Sequence, residues 1–352
     1  MCGIVGLFVG CTALSYCPRR LLLDARVAAP EPGLGQESAQ TEDQAQAPYR
    51  SPFRSWDSRA SVRSAERREI ADGDVDLPYF LPELVPLAQH KAVQELPPAV
   101  LDQVLIQHLY RYLDFTTKLE QLVVNRTALG IAQGSVGLRL PEEMRFDAYR
   151  IYCDEAYHAL FSADLLRQVR RRTGVDPLLP ELPYFLRRLQ RMQETAGAAH
   201  RQLMELMFVI VSETLISGSL AELPQDSNVV PAVREVIRDH AQDEGRHHRY
   251  FSIFLKHLWG QLDGSERRDA ALMVPQLIHT FLHPDTAAMQ GELGRYGFDA
   301  DTACQIVAEV LPDSVLKESA RSAAAQTVRL VATLDMLDIP QVAEEFAAAG
   351  LL

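Results

Sequence analysis

Apolar residues recur at helical spacing along four long stretches of the chain, and residues that start or stop helices bound each stretch. The first begins at Pro97-Pro98 and runs to about Ala132, with Gly134 and Gly137 beyond it. Proline suits a first helical turn, where its missing N–H costs nothing. The second opens at Pro141-Glu142-Glu143 and closes on Arg170-Arg171-Arg172-Thr173-Gly174. Acids at the positive end and bases at the negative end complement the helix dipole, and glycine stops the helix. The arginine run therefore reads as a helix terminus, not a phosphate patch. The third stretch spans about Ala198 to Leu223 and the fourth about Val233 to Leu262, joined by a turn from Pro224 to Pro231. Shorter helices are expected at Ser61 to Asp72, Glu83 to Val93 and Pro183 to Thr195. Several more follow Gly264, punctuated by Pro275, Pro284, Gly294, Pro312 and Pro340. No stretch alternates with the period of a strand. The pattern predicts an all-α fold, a four-helix bundle with accessory helices.

Composition sets the outer limits. A chain of 352 residues can bury a sizeable core, and a net charge of −12 argues against a nucleic-acid backbone or an anionic membrane as partner. No apolar run approaches the ~18 residues of a membrane span. Cys2, Cys11, Cys17, Cys153 and Cys304 are scattered and lack metal spacing, which predicts a reducing cytoplasm. Residues 1–48 read as a low-complexity, disordered extension, and residues 49–352 as the functional domain. Ile4 to Leu14 is apolar, but without a positive segment before it this is not a signal peptide. Met1-Cys2-Gly3-Ile4-Val5-Gly6 is similar to the start of class II glutamine amidotransferases, yet a Pro-, Gln- and Ala-rich linker follows where that fold needs strands.

The chemistry lies in a repeated motif. Asp154-Glu155-Ala156-Tyr157-His158 in the second helix matches Asp243-Glu244-Gly245-Arg246-His247 in the fourth. With 24 Glu and 10 His in 352 residues, chance alone supplies about 0.7 E-x-x-H matches. Requiring Asp in front lowers that to about 0.05, so a pair arises by chance in roughly one such sequence in a thousand. His240, Glu244 and His247 also fall within about 60° of one another on one helical face. Glu and His three apart on each of two helices, with a lone Glu from each of two others, is the ligand pattern of di-iron carboxylate bundles of the ferritin-like class.

The other two helices must then supply one carboxylate each. Glu213 is embedded in the apolar run Leu206 to Ile216, where an unpaired carboxylate costs several kcal/mol unless a metal or a cation compensates it. Glu205 lies about 80° away and is a poorer candidate. In the first helix the choice lies between Asp114 and Glu120, and the more apolar neighbours favour Glu120. Glu120, Glu155, Glu213 and Glu244 carry −4, which balances two Fe(II) ions. Asp154 and Asp243 are candidates for the carboxylates that commonly hold the far N–H of a metal-bound histidine. His248 points away from His247, and His90, His108, His200, His257, His279 and His283 have no comparable company.

On these residues the chain resembles the di-iron arylamine N-oxygenases, over roughly Pro52 to Leu262 and including Arg54-Ser55-Trp56-Asp57-Ser58-Arg59-Ala60-Ser61-Val62-Arg63. The resemblance implies seven ligands: Glu120, Glu155, His158, Glu213, His240, Glu244 and His247, with His240 the histidine that sets this family apart from other ferritin-like oxygenases. It further implies two Fe ions and O2-dependent conversion of an aromatic amine, through hydroxylamine and nitroso, to the nitro compound, in secondary metabolism such as antibiotic biosynthesis. Bottom-up, a third neutral imidazole fills a coordination position without adding negative charge. Carbon hydroxylation or desaturation at the same centre is the nearest rival reading. A ferritin-like iron-binding protein and a radical subunit like that of ribonucleotide reductase are others. Manganese fits similar ligands. The chain shows no flavin fingerprint or iron–sulfur cysteine set, so an external electron donor is expected beside the aromatic amine, with homodimerisation left open. Phe115, Thr116, Thr117, Leu215, Ser217 and Gly218 are the expected pocket lining.

Overall fold

The computed structural model describes residues 48–74, 77–219 and 228–352; the expected N-terminal extension, apart from Pro48, lies outside them. Every regular element among the described residues is helical. Short helices α1 (Trp56–Arg59), α2 (Ser61–Ser64) and α3 (Lys91–Gln94) precede α4 (Pro98–Leu119). A π-helical turn, Glu120–Val124, joins α4 to α5 (Asn125–Gln133), and α6 (Glu142–Thr173), α7 (Tyr184–Thr195), α8 (Ala198–Ser219) and α9 (Pro231–Gln261) follow. The chain ends with α10 (Gly264–Leu282), α11 (Thr286–Arg295), α12 (Ala300–Val310), α13 (Asp313–Ala332) and α14 (Pro340–Ala348).

The long helices begin and end where their sequence signals stand. Gly134 and Gly174 adopt left-handed φ of 73° and 69° and cap α5 and α6. Arg170 and Arg172, in the last turn of α6, pair with Asp176 and Asp72. The α4–α5 rod and α8 pack against α6 and α9 respectively, and α6 meets α9, which closes a ferritin-like four-helix bundle. Helices α10 and α13 cover α8, and α7 and α14 pack on α10. Phe115, Phe185, Phe208 and Phe281 interlock where α4, α7, α8 and α10 meet, with ring centroids 4.6–6.4 Å apart.

Three expectations need correction. The helix expected from Ser61 to Asp72 ends at Ser64, because side chains from the bundle claim the backbone beyond it. Gln168 accepts from the Ile70 amide at 3.0 Å and donates to the Arg68 carbonyl at 2.9 Å, holding that stretch extended. The region from Glu83 to Val93 breaks into two 3₁₀ turns and α3, since Pro86 cannot donate into a continuing helix. Pro275, expected to interrupt, sits instead inside α10. The last residues of the third expected helix, through Leu223, lie outside the described residues.

Candidate metal centre

Helices α6 and α9 face each other with their repeated motifs in register. Glu155 and His158 lie one turn apart on α6, and Glu244 and His247 one turn apart on α9. His158 Nδ1 is 2.7 Å from Glu155 Oε2 and 3.5 Å from Glu244 Oε1. His247 Nδ1 is 2.7 Å from Glu155 Oε1, 3.4 Å from Glu244 Oε1 and 3.8 Å from Glu213 Oε2. His240, a turn before Glu244, brings its Nε2 to 3.0 Å from Glu244 Oε1 and 3.8 Å from Glu120 Oε1. One ligand atom each from Glu155, His158, Glu244 and His247 lies within 4.8 Å of the others, and so do atoms of Glu120, Glu155 and His240. Glu213 approaches from α8 and belongs to neither tight group. All seven side chains are at most 1% exposed.

The π turn begins at Glu120. Such turns insert one extra residue and concentrate at functional sites. Here Leu119 and Glu120, adjacent in sequence, are both fully buried, and the carboxylate reaches the centre. Asp114, the alternative on this helix, instead pairs with Lys118 at 3.0 Å. Glu205, the alternative on α8, accepts a hydrogen bond from Gln193.

Whether this cluster suits a metal can be tested on its own atoms. Both carboxylate oxygens of Glu120 and of Glu213, together with Glu155 Oε1 and Glu244 Oε2, are buried without a hydrogen-bond partner. His240 Nε2 and His247 Nδ1 share that state. Buried polar atoms are nearly always satisfied, so this many converging orphans of ligand type fit a multivalent cation. Electrostatics point the same way. Burial and the carboxylates of Glu155 and Glu213 push Glu120 well above the ordinary range; burial and Glu244 do the same to Glu213. Burial disfavours charge on His158, but Glu155 and Asp243 overrule it and raise the imidazole to about 10. His247 is likewise held well above its usual value against burial, by Glu155 and Glu244. His240 is lowered by burial and by His158. Burial also opposes charge on Glu155 and Glu244, yet His247, joined by His158 at Glu155 and His240 at Glu244, outweighs it and holds both below the usual carboxylate range. The shifts of His158, His247, Glu120 and Glu213 thus all favour the protonated form, as a cluster short of positive charge requires.

The two aspartates cross over. Asp243 of α9 takes His158 Nε2 of α6 at 3.1 Å, and Asp154 of α6 takes His247 Nε2 of α9 at 3.1 Å. Each imidazole thus turns Nδ1 to the centre and Nε2 to the opposite helix. The aspartates are anchored by the segment before the bundle: Trp56 Nε1 donates to Asp154 Oδ1 at 2.8 Å, and the Ser61 amide and hydroxyl donate to Asp243. Arg246 also pairs with Asp243, and Phe53 stacks on His247 with centroids 5.9 Å apart. Burial alone would raise Asp243, but His158 and Ser61 hold it down at about 2. The sequence reading missed Phe53, Trp56, Ser61 and Arg246 as supports. Partners of metal-ligating histidine typically tune affinity about 10–100-fold. Trp56→Phe should therefore weaken Fe(II) binding by roughly 10-fold while circular dichroism stays unchanged. Unaltered affinity by anaerobic titration would remove Trp56 from this role.

A cavity of about 310 Å³ opens beside α4, with Tyr112 and Phe115 in its wall. Of the expected lining, Phe115 is there. Thr116 and Leu215 are buried in the bundle, and Thr117 gives its hydroxyl to the Leu113 carbonyl. The Ser217 and Gly218 side-chain positions lie outside the described residues. His108, expected to be ordinary, also faces this cavity.

Fold and cluster together define a ferritin-like bundle protein with a buried carboxylate–imidazole centre able to hold metal. The family model for P-aminobenzoate N-oxygenase AurF matches residues 45–335, and the chain belongs to that family. Its relatives include the 4-aminobenzoate N-oxygenase of Streptomyces thioluteus, 24% identical over 249 residues that span 69% of this chain and 74% of that one. No helix among the described residues is long and apolar enough to cross a membrane.

Proposed function

We propose that residues 49–352 form a non-haem di-iron N-oxygenase that uses O2 to convert an aromatic amine, through hydroxylamine and nitroso, to the nitro compound in a secondary biosynthetic pathway. The observation that carries this reading is the set of orphaned, buried glutamate oxygens facing the paired histidines, in a chain of this family. Glu120, Glu155, Glu213 and Glu244 with His158, His240 and His247 would hold the ions. Iron bound there supplies the activation of O2.

The rest is work for the protein's own groups. Four carboxylates and neutral imidazoles match the charge of two ferrous ions, so the buried centre stays near neutrality. Asp243 and Asp154 keep the protons of His158 and His247 on Nε2 and leave Nδ1 free to ligate. All seven side chains that would hold the ions are at most 1% exposed, so the fold keeps bulk water from the centre. Electrons come from an external donor. Cys153 and Cys304 are free and exposed, which suits a reducing compartment.

Metal analysis should give two irons per chain, and the ferrous protein mixed with O2, reductant and an arylamine should yield nitro product by mass spectrometry. Oxidation of an alkyl substrate in place of the amine would favour carbon hydroxylation or desaturation. His240 is the ligand through which the centre is tuned toward nitrogen. His240→Ala should bind iron but lose at least about 10-fold in N-oxygenation, since loss of even an outer partner of a ligand typically costs that much. Full turnover with an unchanged optical spectrum would remove that role.

A further inference from the structure

The cavity beside α4 bears on which amine the centre serves, an inference that rests on the N-oxygenase reading. Tyr112 ties the cavity to the metal centre. Its ring lines the wall, and its hydroxyl is buried without an aligned hydrogen bond. Burial holds the phenol protonated, and the carboxylates of Glu244 and Glu120 are near enough to act on it in the same sense. Tyr112 thus belongs both to the cavity wall and to the surroundings of Glu244 and Glu120, which sets the cavity beside the centre.

The charged groups around the cavity are, by contrast, already matched. Arg111 is ion-paired to Glu292, which is 1% exposed and also accepts from the Tyr296 hydroxyl at 2.9 Å. Asp114 pairs with Lys118 at 3.0 Å. Asp285 pairs with Arg187 at 2.7 Å and accepts from the Ala288 amide. His108 sits edge-on to Phe80 at 4.5 Å, and burial together with Arg111 lowers it to about 3, so it is neutral. Phe115, Phe185 and Phe281 add aromatic faces to a lining that is otherwise largely proline, leucine and methionine.

From this arrangement we infer that the enzyme selects an uncharged aromatic amine and discriminates against aminoarenes that carry a carboxylate. An anionic ring substituent would enter a largely apolar space with no unpaired arginine or lysine among the described lining residues. To gain one it must take Arg111 from Glu292, which strands a buried carboxylate. A neutral amide or ester in the same place meets no such penalty.

The test is binding, read apart from turnover. The manganese-loaded protein is titrated under argon with 4-aminobenzoate, 4-aminobenzamide and methyl 4-aminobenzoate, followed by calorimetry. The amide and ester should bind at least roughly ten-fold more tightly than the acid, equivalent to about 1.4 kcal/mol. Equal or tighter binding of the acid overturns the inference, and so does failure of all three to bind. Glu292→Gln keeps a partner for Tyr296 and frees Arg111. It should raise acid affinity at least about ten-fold and leave the amide unchanged; an unaltered acid affinity in the folded variant counts against masking of Arg111. Should the amide bind as expected but emerge unoxidised from the iron-loaded enzyme with O2 and reductant, the N-oxygenase reading fails while the selectivity stands.

Discussion

Glu155→Ala is expected to cut bound iron from two ions to fewer than one per chain and to abolish N-oxygenation. Glu155 is the residue shared by both tight groups of ligand atoms, with one oxygen 2.7 Å from His158 Nδ1 and the other 2.7 Å from His247 Nδ1. Removing it therefore weakens both halves of the centre, whereas Glu120→Ala touches one of those groups. Loss of even an outer partner typically costs about 10–100-fold, so loss of a shared ligand should exceed roughly 100-fold in turnover. Glu205→Ala is the matched control: Glu205 is on α8, as Glu213 is, but half-exposed and hydrogen-bonded to Gln193. It should keep both irons. Two irons and turnover within a few-fold of wild type in the Glu155 variant would contradict the ligand assignment.

The ease with which this centre reads from the chain follows from where its information sits. Glu155, His158, Glu244 and His247 are three apart within single helices, and helical geometry alone turns that spacing into a shared face. Glu213 stands out because a carboxylate inside an apolar helix demands a partner. Glu120 was harder, since the π turn that buries it beside Leu119 leaves no mark in the 3.6-residue period. The aspartate supports were legible only as types. Asp154 and Asp243 could be singled out, but their crossing to the opposite helix depends on how α6 and α9 meet. Trp56 and Ser61 reach partners 98 and 182 residues away, and no local pattern encodes contacts of that range. The same holds for the stretch after Ser64, where local helix propensity lost to Gln168 and to the pairing of Arg68 with Asp239. Propensity is a weak prior against such tertiary bonds. The matched charges of the Tyr112 cavity were likewise hidden, because Arg111 and Glu292 lie 181 residues apart.

Removing metal should destabilise the protein, and the loss should deepen as pH rises from about 6.5 toward 9. Two effects share that sign. Without metal, His158 is raised to about 10 and His247 well above its usual value. A group raised on folding contributes stability that is fully present below its unfolded pKa and fades as pH climbs through the folded one. Glu120 and Glu213, pushed up by burial, are protonated at pH values where the unfolded chain has ionised them, and this penalty also grows with pH. Glu155, Glu244 and Asp243 are held low, so their contribution is already complete above about pH 5 and does not change across this window. The loaded protein moves the other way, because ions compete with the protons on His158, His247, Glu120 and Glu213 and bind better as those leave. Loading ions near neutral pH should therefore release protons from this cluster, His158 among their sources. An ion present at about 100–1,000 times its Kd adds roughly 2.7–4.1 kcal/mol, which for a chain of this size shifts Tm by several degrees. Anaerobic thermal melts with Mn(II) or Fe(II) against chelator, at pH 6.5 and 8.5, read the gap, and titration in weak buffer reads the protons. A gap that narrows with pH, or loading without proton release, would mean that metal does not enter this proton-held cluster.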